Sequence, residues 1–415
     1  DYDRFDFLIR QETMQGSETD VIYRTPDFVG NLFETPDKKD RKYGAGGKLL
    51  EDLDCFYHYD DEGNLIFREF KQLQETGVEF DRKRMEKERG IHFLATGTGW
   101  LYEWSSNGML KKVIRPDGRP VEFRYDALGR RTAKQYFGKV TCWVWDGNVP
   151  IHEWGYKVTD RQPNEEENTP SKEPIEDITT WVFEVGTFVP TAKIQDGKQY
   201  SIVSDYLGTP IQMYDEQGKK TWECTLDVYG KATIFEGRSL NECPFRWAGQ
   251  YIDYETNLCY NRFRYYSSET GNYLNQDPIG LVGNNPTLYA YVTDSNMWLD
   301  PLGLTAEVYK LVATKSGLYD IYEWGNDTPV GKTWLNKGDT WKIGETTDFR
   351  SRKNGSEIQN RYTKKWLSQN NLKYQPLLHS SNKSAKKAFQ KFETSRIRKF
   401  EKQFGKKPAG NKCHH

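Results

Sequence analysis

Two aspartates sit in matched settings: Asp277 opens Asp-Pro-Ile-Gly-Leu and Asp300 opens Asp-Pro-Leu-Gly-Leu. Carboxylates held a few ångströms apart resist joint ionisation, so one keeps a proton while the other activates water, which is the chemistry of an acid protease. Asp-Pro also starts turns, and on the residues alone both elements read more simply as strand-ending turns. A second chemical signal follows them. From Thr305 to His415 there are 23 Lys and Arg against 10 Asp and Glu, a net +13, which leaves −14 on the first 304 residues of a chain whose total is −1. Such asymmetry between two parts of a chain points to a partner rather than to a fold, here a polyanion for the basic part, with the acidic part as its internal counter-surface.

The elements that must hold these residues are strands. The composition is 14% aromatic with 26 Tyr, 13 Trp and 35 Gly, which favours strands and tight turns over helix bundles. The 415 residues give room for two or three domains. No apolar run reaches the roughly 18 residues of a membrane span, and residues 1 to 30 have no charged-then-apolar leader, so a soluble chain is expected. It opens mid-pattern at Asp1, as a fragment of something longer would. The six cysteines are scattered without CxxC or zinc-like spacing and read as reduced structural thiols; Cys413-His414-His415 reads as native sequence or the stump of a tag, not as a metal site.

A loose repeat runs through the acidic part: FYHYDDEGNL at 56–65, WLYEWSSNGML at 100–110, VEFRYDALGRR at 121–131, and a weaker DYLGTPIQMYDEQGKK at 205–220. Each alternates apolar and polar residues, then places Asp or Asn near a Gly before another strand-like run, the pattern of antiparallel hairpins. One hairpin cannot bury its own apolar face, so a period of this kind implies stacked units. Residues 1–50 are turn-rich and carry no clear pattern, 160–177 reads as a solvated surface loop, and 180–194 resumes strand character.

The core Tyr125-Asp126-Ala127-Leu128-Gly129-Arg130 resembles the YD repeats of the Rhs family, and an ordinary β-sandwich is the alternative reading of the repeats alone. The run PFRWAGQYIDYETNLCYNRFRYYSSETGNYLNQDPIGL, with LYAYV and the second DPLGL, is similar to the end of the Rhs core phrase by phrase. The resemblance implies a mostly β shell of spiralling antiparallel hairpins over residues 1–243, a core-closing region over 244–304, and a variable toxin over 305–415. It also implies that Asp277 and Asp300 are an autocleavage pair, that the scissile bond joins Leu304 to Thr305, and that Gly280 and Gly303 let the backbone approach and turn there.

The basic segment reads as strands VYKLVA (308–313) and GLYDIYEW (317–324) facing each other across Lys315-Ser316-Gly317, a third strand at Thr340–Glu345, a helix from Ser356 to Leu367, an edge strand KYQPLLH with Pro376, and a last helix from Ser384 closing at Gly405. The order of GLY, KIG, an arginine, a glutamate and PAGN resembles the small α+β GIY-YIG nuclease domain. Gly317-Leu318-Tyr319 and Lys342-Ile343-Gly344 stand for the two triplets, although Lys342 replaces the tyrosine of the second. The resemblance implies Tyr319 as the base for water, Lys342 beside it, Arg361 as the phosphate clamp, Glu393 as the ligand of one Mg²⁺, and Asn411 as the asparagine after Pro408-Ala409-Gly410. Arg350, Arg352, Lys364, Lys365 and His379 are expected to bind nucleic acid, with Arg350 and Arg352 competing with Arg361 for the clamp.

The sequence thus implies an antibacterial effector fragment that cuts itself after Leu304 and carries a Mg²⁺-dependent nuclease, with DNA favoured as substrate. It would be made in the bacterial cytoplasm, delivered into a target cell by a secretion apparatus engaging regions outside this chain, and neutralised by a cognate immunity protein. The rival readings are a YD-repeat adhesion scaffold with a basic nucleic-acid-binding tail, and a nuclease that cuts RNA, since phosphate contacts carry no base information.

Overall fold

The computed structural model describes residues 1–3, 8–15, 18–74, 80–160, 173–237, 242–278, 287–292, 294–296, 299–303, 306–322, 328–346, 349–351, 357–359, 362, 364–380, 397–398, 400–402 and 404–411. Sixteen strands from Lys42–Tyr43 to Ala232–Gly237 form one antiparallel sheet in which spatial order follows chain order. The expected hairpin repeat is this sheet.

Its turns show why the YD pattern folds this way. At Asp126 the carboxylate Oδ1 accepts the backbone N–H groups of Leu128 and Arg130, each at 2.9 Å, while Gly129 N–H donates to the Asp126 carbonyl. Gly129 takes φ +73°, a left-handed conformation that glycine adopts without steric cost. The register then shifts by a bulge at Arg124/Tyr125, which increases the local twist. The same carboxylate-to-backbone bonds recur at Asp205, Asp215 and Asp227, each beside a bulge.

One face of the sheet packs on a four-stranded meander, Tyr251–Asp253, Leu258–Asn261, Arg264–Ser267 and Asn272–Tyr273, every residue of which is buried. Aromatic edges make the contact, with Trp143 on Tyr251 at 5.4 Å and Trp181 on Phe245 at 4.8 Å between ring centroids. A buried ion cluster joins the two layers: Asp253 binds Arg131 and, at 2.9 Å, Lys134 Nζ, which also reaches Glu255 at 2.8 Å. From the first fifty residues, patternless in sequence, Lys42–Tyr43 and the start of Leu49–Glu51 join the large sheet, and Arg41 Nη1 donates to the Thr270 carbonyl at 2.7 Å, just before the meander's last strand. Five cysteines are free and buried, as expected, and Cys413 lies outside the described residues. No helix among the described residues is long and apolar enough to cross a membrane.

After the meander come a three-stranded sheet, with Ala306–Ala313 between Thr340–Thr346 and Leu372–Ser380, and two hairpins. Two expectations are corrected here. The strand holding VYKLVA does not pair with the GLY strand: Gly317–Ile321 pairs with Gly331–Leu335, because both edges of Ala306–Ala313 are taken by longer partners. The helix expected from Ser356 is instead a strand, Glu357–Gln359, followed by the short helix Lys364–Gln369. Ile358, Tyr362 and Thr363 are poor helix formers, and the spacing of Tyr362 and Trp366 survives as a ring contact at 4.9 Å. The edge strand with Pro376 and the helix end at Gly405, φ +70°, match expectation; the start of that helix near Ser384 lies outside the described residues.

Candidate functional site

The meander's central hairpin builds the first site. Asn261 pairs with Arg264 across a two-residue turn, and Arg262 holds φ +58°, a costly conformation for a side chain this large. Its guanidinium bonds to the Gly129 carbonyl at 2.7 Å, the Leu128 carbonyl at 2.6 Å and Asn148 Oδ1 at 3.1 Å, which fixes the turn against the sheet. The hairpin thereby directs Asn261 and Arg264 at the segment 300–303.

Asp277 and Asp300 meet on Arg264. Its Nη2 lies 3.2 Å from Asp277 Oδ2 and 3.2 Å from Asp300 Oδ2, so the two carboxylate oxygens are within twice that distance of each other. Both aspartates and Arg264 are almost completely buried. Tyr273 Oη donates to Asp300 Oδ2 at 2.9 Å, and its ring carries the Arg264 guanidinium 3.6 Å from the centroid. Burial, with the neighbouring Asp300 charge, raises the Tyr273 hydroxyl well above its ordinary pKa, so it remains a donor. Two buried carboxylates thus share one guanidinium.

The same arginine holds the chain beside the expected cut. Arg264 Nε donates to the Gly303 carbonyl at 2.7 Å, and Asn261 Nδ2 donates to the Asp300 carbonyl at 2.7 Å. Gly303 has φ +66°, and a Cβ there would meet the Asn261 carbonyl oxygen at 2.8 Å. Leu304, Thr305 and Gly280 lie outside the described residues. Arg264, Tyr273 and Asn261 were not singled out in sequence; the signal was the run CYNRFRYY, whose polar residues fall between buried tyrosines.

In the basic segment the expected residues divide. Asn411 brackets Ile343 of the KIG triplet: Ile343 N–H donates to Asn411 Oδ1 at 2.9 Å and Asn411 Nδ2 donates to the Ile343 carbonyl at 2.6 Å. The two triplets lie in different sheets and are stitched together indirectly. Trp341 Nε1 donates to the Asp320 carbonyl at 2.8 Å, Tyr322 N–H to the Ala409 carbonyl at 2.9 Å, and Gly410 N–H to the Trp341 carbonyl at 2.7 Å. Tyr319 is buried, its hydroxyl 2.7 Å from the Lys315 carbonyl and 3.0 Å from the Asn371 carbonyl, so activating water would require it to leave these acceptors. Lys342 is half-buried and Lys365 is exposed on its helix. Arg350 and His379 lie on strands and Lys364 starts the helix, while Arg352, Arg361 and Glu393 lie outside the described residues. Among the described residues no cluster of three His, Cys, Asp or Glu side chains could hold a metal ion.

Comparison with known proteins bears on the sheet and the meander. Residues 104–141 match the RHS Repeat model and residues 176–291 the Teneurin YD-shell model. Over these residues the chain is similar to Rhs and YD-shell proteins. Its relatives include the probable deoxyribonuclease RhsB of Dickeya dadantii, 30% identical over 71% of this chain and 18% of the relative. Others are the double-stranded DNA deaminase toxin A of Burkholderia cenocepacia, 28% identical over 67% of this chain and 19% of the relative, and toxin protein Tse5 of Pseudomonas aeruginosa, 32% identical over 63% and 19%. The chain therefore spans about a fifth of the length of these curated relatives. The YD-shell match includes Arg264 and Asp277 and ends before Asp300 and the basic segment.

Proposed function

We propose that this chain is the closing portion of an Rhs toxin shell that hydrolyses its own Leu304–Thr305 bond and carries a DNA-hydrolysing cargo beyond it. The observation that carries the first half is the convergence of Asp277 and Asp300 on Arg264, whose Nε grips the Gly303 carbonyl one residue before the bond. Water adds across the amide: its hydroxyl goes to the Leu304 carbonyl carbon, and a proton goes to the Thr305 nitrogen as the C–N bond breaks. One carboxylate takes the water's proton while the other gives a proton to the Leu304 carbonyl oxygen. As the C–N bond breaks, that oxygen returns its proton to the pair and the pair delivers one to the Thr305 nitrogen. Arg264 and Tyr273 keep the pair in register throughout.

The cargo reading rests on the net +13 after Leu304, on the ordered GLY, KIG, Arg361, Glu393 and PAGN residues, and on relatives described as a probable deoxyribonuclease and a DNA deaminase toxin. Glu393 would hold Mg²⁺, which supplies charge relief at the phosphate, with Arg361 orienting the same group and the basic residues binding the backbone. An immunity protein and a delivery apparatus follow as partners from the same reading.

Intact mass of freshly purified protein tests the first half: two fragments split after Leu304 support it, and a single uncut mass opposes it. Incubation with plasmid, linear DNA and tRNA, with and without EDTA, tests the second. Metal-dependent nicking of DNA supports it, whereas binding without any cleaved product returns the basic segment to a nucleic-acid-binding tail.

A further inference from the structure

In the hairpin of Gly317–Ile321 with Gly331–Leu335, strand alternation sends two sets of side chains to opposite faces. Tyr319 and Leu335 are buried in the apolar core of the basic segment with Trp341 and Leu372. The other face carries Leu318 and Trp334, which stand directly opposite each other in the register and remain 64% and 62% exposed. A single exposed apolar side chain is ordinary. A tryptophan paired with a leucine in water is not, because tryptophan offers one of the largest apolar surfaces a chain can bury. Further along the same face Asp320 opposes Lys332, whose Nζ lies 3.8 Å from the carboxylate, and that pair shows what a face kept only for solubility carries.

The surroundings of the apolar pair are cationic. Lys332 is exposed two residues from Trp334 on its own strand, and Lys315 and Lys337 are exposed at the end of the hairpin, where Lys337 N–H donates to Ser316 Oγ at 3.0 Å. Lys406 Nζ reaches Thr333 Oγ1 at 3.2 Å. Asp320 and Asp339 lie among these lysines, the first on Lys332 and the second accepting Asn336 N–H at 2.8 Å. Lysine is depleted at protein–protein interfaces, whereas cations around an exposed aromatic ring suit a phosphate backbone whose bases stack on the ring. We infer that the Leu318–Trp334 face is a stacking platform for an unpaired nucleotide, with the lysines on the flanking phosphates. This rests on reading the basic segment as a cargo that acts on nucleic acid, and it names the form of the ligand: a single strand, because in a duplex the faces of each base are already covered by its neighbours. Stacking reads no base identity, so little sequence preference is expected.

The test is fluorescence anisotropy of the full chain with labelled oligothymidylate, oligouridylate and a DNA duplex, in EDTA so that binding is read apart from metal-dependent cleavage. Wild type is expected to bind the single strands more tightly than the duplex. Trp334→Ala should weaken the single strands by about tenfold or more, the scale of one lost base-stacking contact, and the duplex by less than about twofold. Trp334→Phe, which keeps an aromatic face, should recover most of the affinity, a result that a change of fold would not give. The double variant Lys332→Ala/Lys337→Ala should make binding less dependent on salt. Trp334 is exposed, so far-UV circular dichroism should be the same for every variant. Wild-type affinity of Trp334→Ala for both single strands overturns the platform and leaves the face to a protein partner or a second copy of the chain. Equal losses on single strand and duplex, or no recovery in Trp334→Phe, overturn it as well. Wild type that binds none of the three oligonucleotides overturns the nucleic-acid reading of the basic segment itself.

Discussion

Asp277 and Asp300 are bound to the same nitrogen of Arg264, 3.2 Å from each, and all three residues are buried. A site built this way separates chemistry from scaffolding. Asp277→Asn and Asp300→Asn each remove one ionisable group but preserve shape, so both variants should fold and remain uncut, slowed by about 100-fold or more. Arg264→Ala instead strands two buried carboxylates and should cost roughly 3–5 kcal/mol of stability. Intact mass and urea unfolding, read together, distinguish the two effects; a cut chain from either asparagine variant would exclude the pair.

Gly303 gives a prediction of a different kind. Its φ of +66° and the closeness of the Asn261 carbonyl mean that a methyl group forces the Gly303 carbonyl off Arg264 Nε. Displacement of about 1 Å at a reacting group can cost on the order of 100-fold in rate. Gly303→Ala is therefore expected to fold and slow self-cleavage to about that extent, with little change in the melting temperature of the large sheet. An unchanged cleavage rate would show that the grip on Gly303 plays no part.

The ion cluster between sheet and meander sets the acid limit. Burial on its own would push the Asp253 carboxyl up, but the charges of Arg131 and then Lys134, and their hydrogen bonds, hold it below the usual carboxylate range. A folded-state value below the unfolded one of about 3.9 means that the cluster's contribution is complete above about pH 4 and is lost as pH falls through the folded value. Asp253→Asn should cost roughly 3–5 kcal/mol at neutral pH, because Arg131 is left buried without its counter-ion. It should also flatten the loss of stability as pH falls below about 4. Urea midpoints across that range check both statements, and an unchanged acid slope would locate the titrating group elsewhere.

How far the sequence carried this depends on range. The sheet was legible because each YD turn is local: Asp126 and Gly129 make their bonds within five residues, and the pattern repeats. On the residues alone the two Asp-Pro elements read as turns; the pairing of Asp277 with Asp300 came from the Rhs resemblance, and the structure sets both on Arg264. Arg264 itself was not legible, since nothing in its neighbourhood separates it from Arg262, which merely anchors the turn; only the register Asn261 to Arg264 tells them apart. In the basic segment, alternation identified the strands Ala306–Ala313 and Gly317–Ile321 but not their partners, because pairing is decided by the distant edges Thr340–Thr346 and Leu372–Ser380. A short connection suggested a hairpin where the sheet had longer strands to use.

That difference in pairing separates the roles of Tyr319 and Asn411. Asn411→Ala leaves the N–H and carbonyl of Ile343 without partners in a buried strand, so it should destabilise the basic segment by roughly 1–3 kcal/mol and lower activity only through unfolding. Tyr319→Phe loses one hydroxyl bond to a backbone carbonyl, worth about 1 kcal/mol, and should keep nicking activity within a few-fold while the melting temperature falls. Glu393→Gln should do the reverse, abolishing metal-dependent nicking at unchanged melting temperature, because a lost metal ligand costs catalysis rather than packing. Nicking rates and melting curves on the same preparations check all three. If Tyr319→Phe abolishes nicking while its melting temperature stays put, the hydroxyl leaves Lys315 and Asn371 in the working enzyme and takes the proton from water, as the GIY-YIG resemblance implies.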